Sequence, residues 1–276
     1  MKRKRKIRLA LVLGALVSSI YFGRLYIKHK VEEMTFELYD EDKELINLAA
    51  KEEIQRISFN SDGNIIYANW ALNRESSPSI FILHGNGETL SNWVETQVFL
   101  RELGYNSFVF DYSGFGSSEG VPTVETLDND AKNAWDKFCE LSSESNSRIA
   151  FGHSLGSAVL LGSVNTYSSV PDNLIIHAPF SSAREIAIHL GTADKSWAWI
   201  LPDMWNNVKN IQDLPTTNIC IVHSKSDEIT PHKMSEQISE QNKDAHLLLL
   251  DGHHHNSLYE SPDVNFWNKV LNCKKN

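Results

Sequence analysis

Ser154 is the residue in this chain best placed to do chemistry, because of what surrounds it. It lies in Gly152-His153-Ser154-Leu155-Gly156, after the apolar run Ile149, Ala150 and Phe151 and before Ala158, Val159, Leu160, Leu161 and Val164 at helical spacing. A serine on a tight strand-to-helix turn is pushed into strained backbone and held out at a sheet edge, while the flanking glycines let neighbouring backbone pass close by. Serine is a weak nucleophile at neutral pH and needs a base within hydrogen-bond reach. Histidine suits that task, since a pKa of about 6.5 lets it take and return a proton. A carboxylate must in turn hold the histidine in one tautomer.

Both partners follow in the chain order Ser, acid, His. After the apolar strand Ile219–Val222 comes His223-Ser224-Lys225-Ser226-Asp227-Glu228, and after Leu247–Leu250 comes Asp251-Gly252-His253-His254-His255-Asn256. Asp227 ends its loop at the expected length and is preferred to Glu228 as the acid. Its bland alternative is a turn residue ahead of the helix Pro231–Gln241, although Thr230 before the proline is the better N-cap. His255 is the favoured base and His254 the second choice. The three histidines together could bind a metal, but successive side chains diverge and no other ligand-like residue accompanies Asp251, so neither a metal nor a cofactor is expected. Acyl transfer also needs donors for an oxyanion. His84-Gly85-Asn86-Gly87-Glu88 opens a helix after the strand Ser79–Leu83, and the backbone N–H groups of Asn86 and Leu155 are the predicted pair. No Gly-Lys-Ser/Thr follows, so this is not a phosphate loop.

These residues need a scaffold, and the chain alternates strands and helices to supply it. Ile54–Phe59 and Ile65–Leu72 flank Ser61-Asp62-Gly63-Asn64 and read as a hairpin. Ser79–Leu83, as a strand buried on both faces, and Ser107–Phe110, Ile149–Phe151, Leu174–Ile176, Ile219–Val222 and Leu247–Leu250 read as strands, with helices at Thr89–Leu103, Val124–Leu141 and Leu155–Val164. Such alternation predicts an α/β fold with a mainly parallel sheet covered by helices on both faces. Residues 181–214 are longer than a simple crossover needs and carry Trp197, Trp199 and Trp205. They read either as a further helix packed on the sheet or as a short cap over the mouth of the site.

The 276 residues suit one large α/β domain, and a hydrophobic content of 41% is ample for its core. Nine of the 26 Lys and Arg fall in residues 1–30 with no acid, which leaves 17 against all 35 Asp and Glu and a body charge of −18. An acidic body argues against a nucleic-acid partner. The basic start precedes an apolar run from Leu9 to Gly23, extended past Arg24 by Leu25, Tyr26 and Ile27 to the length of a single transmembrane helix. Six positive charges before the run against three after it predict a cytosolic N-terminus and a catalytic body on the non-cytosolic side. A cleaved signal peptide, giving a secreted or periplasmic protein, is the alternative, but no small-x-small site follows the run. The expected division is therefore an anchor at 1–30, a linker helix at 31–53 and the catalytic domain at 54–276. Cys139, Cys220 and Cys273 show no metal spacing and no disulfide framework; Cys220 reads as a small core residue, and Cys139 with Cys273 is the only pairing considered.

Taken together, His84–Glu88, Asp111-Tyr112-Ser113-Gly114-Phe115-Gly116-Ser117-Ser118-Glu119-Gly120, the 152–156 turn, Ser226–Pro231 and His255-Asn256 resemble the α/β-hydrolase superfamily, and within it the membrane-anchored short-cap serine hydrolases near the monoacylglycerol lipase and lysophospholipase-like branches. The resemblance spans about residues 54–272. It implies Ser154 as nucleophile, Asp227 as acid, His255 as base and Asn86 with Leu155 as oxyanion donors, with 111–120 a structural turn. It departs at Gly252–Asn256, where the family has small residues before its histidine. The function to expect is hydrolysis of a carboxylic ester or thioester, of a lipid or small molecule, through an acyl-serine intermediate. Peptidase or amidase action, or a catalytically idle binding protein, would use the same fold.

Overall fold

Strand register follows from side chains that alternate between two buried faces. In Ser79-Ile80-Phe81-Ile82-Leu83 every residue is inaccessible to solvent; Ile80 and Ile82 belong to one core, Phe81 and Leu83 to the other. A strand apolar on both faces is stable only between two layers, which is what a helix-covered parallel sheet provides. The computed structural model describes residues 21–214 and 218–273.

Eight strands form one sheet: β1 (Gln55–Ser61), β2 (Asn64–Ala71), β3 (Ser79–Leu83), β4 (Asn106–Phe110), β5 (Arg148–His153), β6 (Asn173–His177), β7 (Asn218–Ser224) and β8 (Ala245–Leu250). Their spatial order is β1-β2-β4-β3-β5-β6-β7-β8. The β1–β2 hairpin turns on Asp62 and Gly63, both at positive φ, and pairs antiparallel with β4; every pairing from β4 through β3 to β8 is parallel. This is the mainly parallel α/β-hydrolase sheet that the alternation predicts.

One face is covered by helices α4 (Val124–Leu141), α5 (Leu155–Ser163) and α8 (His232–Ser239), which contribute Trp135, Phe138, Leu160 and Ile238 to the larger core. The other is covered by α3 (Val94–Glu102) and α10 (Val264–Leu271), with Leu100, Phe266 and Trp267. Helix α4 has the predicted bounds, because Thr123 caps its start by accepting from the Thr126 N–H. The helix expected from Thr89 instead begins as a 3-10 turn, Leu90–Trp93, and becomes α-helical at Val94.

Two segments differ in detail from expectation. The stretch before the sheet is not one linker helix: a helix (α1) over 21–35 is followed by extended chain and then by α2 (Lys43–Lys51), capped by the Asp42 carboxylate. Among the described residues no helix is long and apolar enough to cross a membrane. Residues 1–20 lie outside the described residues, and with them most of the Leu9–Gly23 run and of the expected transmembrane span. The 181–214 stretch comprises α6 (Ala183–His189), a 3-10 turn (Ala198–Ile200), α7 (Asn207–Asn210) and a second 3-10 turn (Ile211–Asp213). Its tryptophans divide: Trp205 is core, packed edge-on against Phe36, whereas Trp197 and Trp199 are exposed.

A disulfide joins Cys220, in the middle of β7, to Cys273 just after α10, with Cα atoms 6.0 Å apart. This corrects the cysteine reading. The only pairing considered from sequence, Cys139 with Cys273, does not form, and Cys139 is free. Sequence separation hid the bridge, since α10 returns across the sheet and brings Cys273 over β7.

Candidate active site

The turn at 152–156 is built as its composition demands. Strand β5 ends at His153 and α5 begins at Leu155, leaving Ser154 alone between them at φ 53° and ψ −113°. A positive φ is costly for a residue with a side chain and persists only where the surroundings enforce it. Here the Ser154 N–H donates to the carbonyl of His177 on β6 at 2.9 Å, and the Ser157 hydroxyl sits between that same carbonyl (2.8 Å) and the Gly152 carbonyl (2.7 Å). The glycines are steric necessities: a methyl group on Gly152 would lie 2.6 Å from the Gly156 carbonyl oxygen, and one on Gly156 would strike the Leu83 carbonyl.

Two loops at the ends of neighbouring strands meet beside this turn. Asp227, three residues past β7, accepts at Oδ1 from the N–H groups of Ile229 (2.9 Å) and Thr230 (2.7 Å). Its Oδ2 lies 2.7 Å from Nδ1 of His255 and 3.2 Å from Nε2 of His223. Burial pushes the Asp227 carboxyl up, but the bonds from His223 and His255 outweigh it and hold the group well below the usual carboxylate range. The acceptor-only carboxylate assigns the proton on His255 to Nδ1, which leaves Nε2 free to act as a base. The His255 ring lies 4.9 Å, centroid to centroid, from that of His153, the residue just before Ser154.

The three adjacent histidines diverge. Only His255 is buried; His254 is exposed and faces Glu228 Oε2 at 3.3 Å, and His253 packs on Phe266. Glu228 is a loop tie, since its Oε2 also accepts from the His255 N–H at 3.2 Å.

Two further members of the site were missed in the sequence. His223, on β7, is fully buried between Asp227, the Thr230 carbonyl (2.9 Å) and the Ser235 hydroxyl (2.6 Å). Its spacing of four from Asp227 was the available signal. Thr230 is not the cap of α8, whose N-cap is Pro231 with no side-chain bond; its hydroxyl instead donates to Asp227 Oδ2 at 3.1 Å.

The loop after β3 forms the other wall. Gly87 takes φ 73°, and Gly85 N–H donates to Glu88 Oε2 at 3.0 Å. The side chain of Asn86 turns away from the loop: its Oδ1 accepts from the Glu37 N–H at 3.1 Å and its Nδ2 donates to the Thr35 carbonyl at 2.9 Å. Leu155 N–H heads α5, where no carbonyl lies one turn back to take it. The 111–120 stretch braces the hairpin, with Ser118 accepting from Tyr67 N–H and Glu119 from Ile65 N–H.

Comparison with known proteins agrees with this architecture. The serine aminopeptidase S33 family profile matches residues 74–210. A lysophosphatidylserine lipase, ABHD12 of Bos taurus, is 27% identical over 217 residues, which is 68% of this chain but 54% of that protein, so the chain matches about half the length of that relative. Among solved structures, the esterase Pf2001 of Pyrococcus furiosus superposes with a TM-score of 0.63 at 14% identity, covering 86% of this chain and 95% of its own. Est1E of Butyrivibrio proteoclasticus, solved with ferulic acid, superposes with a TM-score of 0.61 at 19% identity, covering 78% and 96%. Sheet order, the positive-φ serine between β5 and α5, and these likenesses agree: the chain has the α/β-hydrolase fold.

Proposed function

We propose that this protein is a serine hydrolase that cleaves carboxylic ester or thioester bonds of an acyl lipid through an acyl-serine intermediate. The observation that carries the reading is the 2.7 Å contact between Asp227 and His255 beside the strained Ser154. In the proposed cycle Ser154 Oγ attacks the acyl carbon while its proton passes to Nε2 of His255, and Asp227 stabilises the resulting imidazolium. The N–H groups of Asn86 and Leu155 receive the oxyanion, each such donor lowering the barrier by about 3–4 kcal/mol. Collapse expels the alcohol or thiol with the proton from His255. Water, deprotonated by the same imidazole, then releases the acid and restores the serine. Every step uses side chains and backbone of this chain.

A lipid substrate is supported by the name of the bovine relative and by the exposed Trp197 and Trp199 of the 181–214 segment, which we read as a short cap. We place the protein in a membrane through its N-terminal apolar run, with the catalytic body on the non-cytosolic side. The Cys220–Cys273 bridge supports that side, because disulfides persist in oxidising compartments.

The test is hydrolysis of p-nitrophenyl esters from acetyl to palmitoyl by the full chain in detergent. Activity that rises with chain length and vanishes in Ser154→Ala is the expected result. Activity confined to aminoacyl amides would favour the peptidase reading that the S33 family name raises. A folded protein that turns over neither would be a binding protein on this fold.

A further inference from the structure

Glu88 is a buried carboxylate that the proposed reaction leaves unused. It lies in the loop that carries Asn86, and three groups from different elements converge on it. Its Oε2 accepts from Gly85 N–H at 3.0 Å, within its own loop, and from the Trp93 indole N–H at 2.8 Å. Its Oε1 faces Nε2 of His153, at the end of β5, at 3.3 Å. A Cβ on Gly85 would collide with Glu88, so the loop is wrapped tightly on this carboxylate.

The contact continues beyond His153. Nδ1 of His153 lies 2.9 Å from Nδ1 of His177, both rings being buried. Burial pushes both imidazoles below their ordinary pKa, which favours neutral rings. The Glu88–His153 contact is an ion-pair approach without hydrogen-bond geometry, and the negative charge of Glu88 beside Nε2 favours the Nε2–H form of His153. The bare Nδ1 of His153 must then accept from Nδ1–H of His177. The carbonyl of His177 is the acceptor that holds the Ser154 N–H. A chain of contacts therefore runs from the Gly85 amide, through Glu88, His153 and His177, to the backbone that fixes the nucleophile.

We propose that Glu88 is a positioning residue that locks the oxyanion loop to the nucleophile turn, setting the spacing between the Asn86 N–H and Ser154. This rests on the serine-hydrolase reading and adds the device that keeps its two halves in register. Its effect falls on the reacting geometry, where a misplacement of about 1 Å costs on the order of 100-fold in rate. Glu88→Gln keeps the shape and one acceptor but loses the charge that selects the His153 tautomer.

The test is the rate at which a fluorophosphonate labels the full-length protein, for wild type, Ser154→Ala and Glu88→Gln. Saturation kinetics separate the maximal labelling rate from the concentration at half-saturation. The expected result is a maximal rate about 10- to 100-fold lower in Glu88→Gln, with half-saturation within about 2-fold and no label on Ser154→Ala. Labelling of folded Glu88→Gln at the wild-type rate overturns the positioning role while leaving the hydrolase reading intact. A wild type that takes no label overturns both. Should Glu88→Gln fail to fold, the tautomers of the wild-type protein decide by imidazole 15N NMR: His153 as Nε2–H with His177 as Nδ1–H supports the proposal, and His153 as Nδ1–H overturns it.

Discussion

Nδ1 of His255 lies 2.7 Å from Oδ2 of Asp227, whereas the adjacent His254 faces Glu228 from the solvent side. Successive side chains in a loop diverge, and here the divergence separates the proposed base from a surface residue. His255→Ala is expected to lower turnover by about 10⁴-fold or more, as loss of a triad member does. His254→Ala is expected to stay within about 2-fold, since its exposed ion pair is of little energetic value. Steady-state rates on a p-nitrophenyl ester, with circular dichroism to establish folding, check both. Loss of turnover confined to His254→Ala would transfer the base to that residue.

Asn86 ties the loop after β3 to chain that precedes the sheet, through Thr35 and Glu37. Phe36, between them, packs edge-on against Phe115 and against Trp205 of the 181–214 segment. Asn86→Ala keeps the backbone N–H proposed to bind the oxyanion but loses both ties. We expect kcat to fall about 10-fold with KM nearly unchanged, because the loop loses orientation and not a substrate contact. Deleting residues 1–41 should produce a similar fall, and the two changes together should be far less than multiplicative. Multiplicative losses would show that the tie and the segment act independently.

The Cys220–Cys273 bridge closes a loop with a sequence separation of 53 residues, for which chain entropy in the unfolded state corresponds to about 4 kcal/mol. Cys273→Ser, or reduction under native conditions, should lower the melting temperature by several degrees while Cys139→Ser leaves it unchanged. Thermal unfolding with and without reductant checks this. Insensitivity to reductant would mean that the pair is not oxidised in the protein.

Asp128, on α4, is partly buried near Gly162, and desolvation pushes its carboxyl up to about 7. The unfolded chain releases this proton at about pH 3.9, so between about pH 4 and 7 the folded state holds a proton that the unfolded state has lost. Stability from this group therefore falls as pH rises through that window. Asp227 has the opposite sign and acts elsewhere: its depressed pKa adds stability that is present above about pH 4 and lost as acid protonates it. Asp128→Asn should accordingly shrink the drop in melting temperature between pH 5.5 and pH 8. An equal drop in wild type and variant would assign the pH dependence to other groups.

Most of the sheet was legible because its signal is local. Runs such as Ser79–Leu83 and Leu174–Ile176 are too short and too uniformly apolar to be anything but buried strands between turn signals, and the positive-φ turn at Ser154 is written in the two glycines around it. Asp227 and His255 were readable as loop residues past two such strands. What escaped was set by tertiary approach. Cys273 meets Cys220 only because α10 packs back over β7, and Asn86 reaches Thr35 and Glu37 across 51 and 49 residues. Glu88, His153 and His177 come together from three elements, with nothing in their sequence spacing to announce it.

The most direct test of the central claim is to trap the acyl-enzyme. Full-length protein mixed with a slowly deacylating p-nitrophenyl ester should release a burst of nitrophenol equal to the enzyme concentration. Peptide mass spectrometry should then place the acyl group on Ser154, and Ser154→Ala should give neither burst nor adduct. A burst with the acyl group on another residue, or turnover that survives Ser154→Ala, would contradict the account.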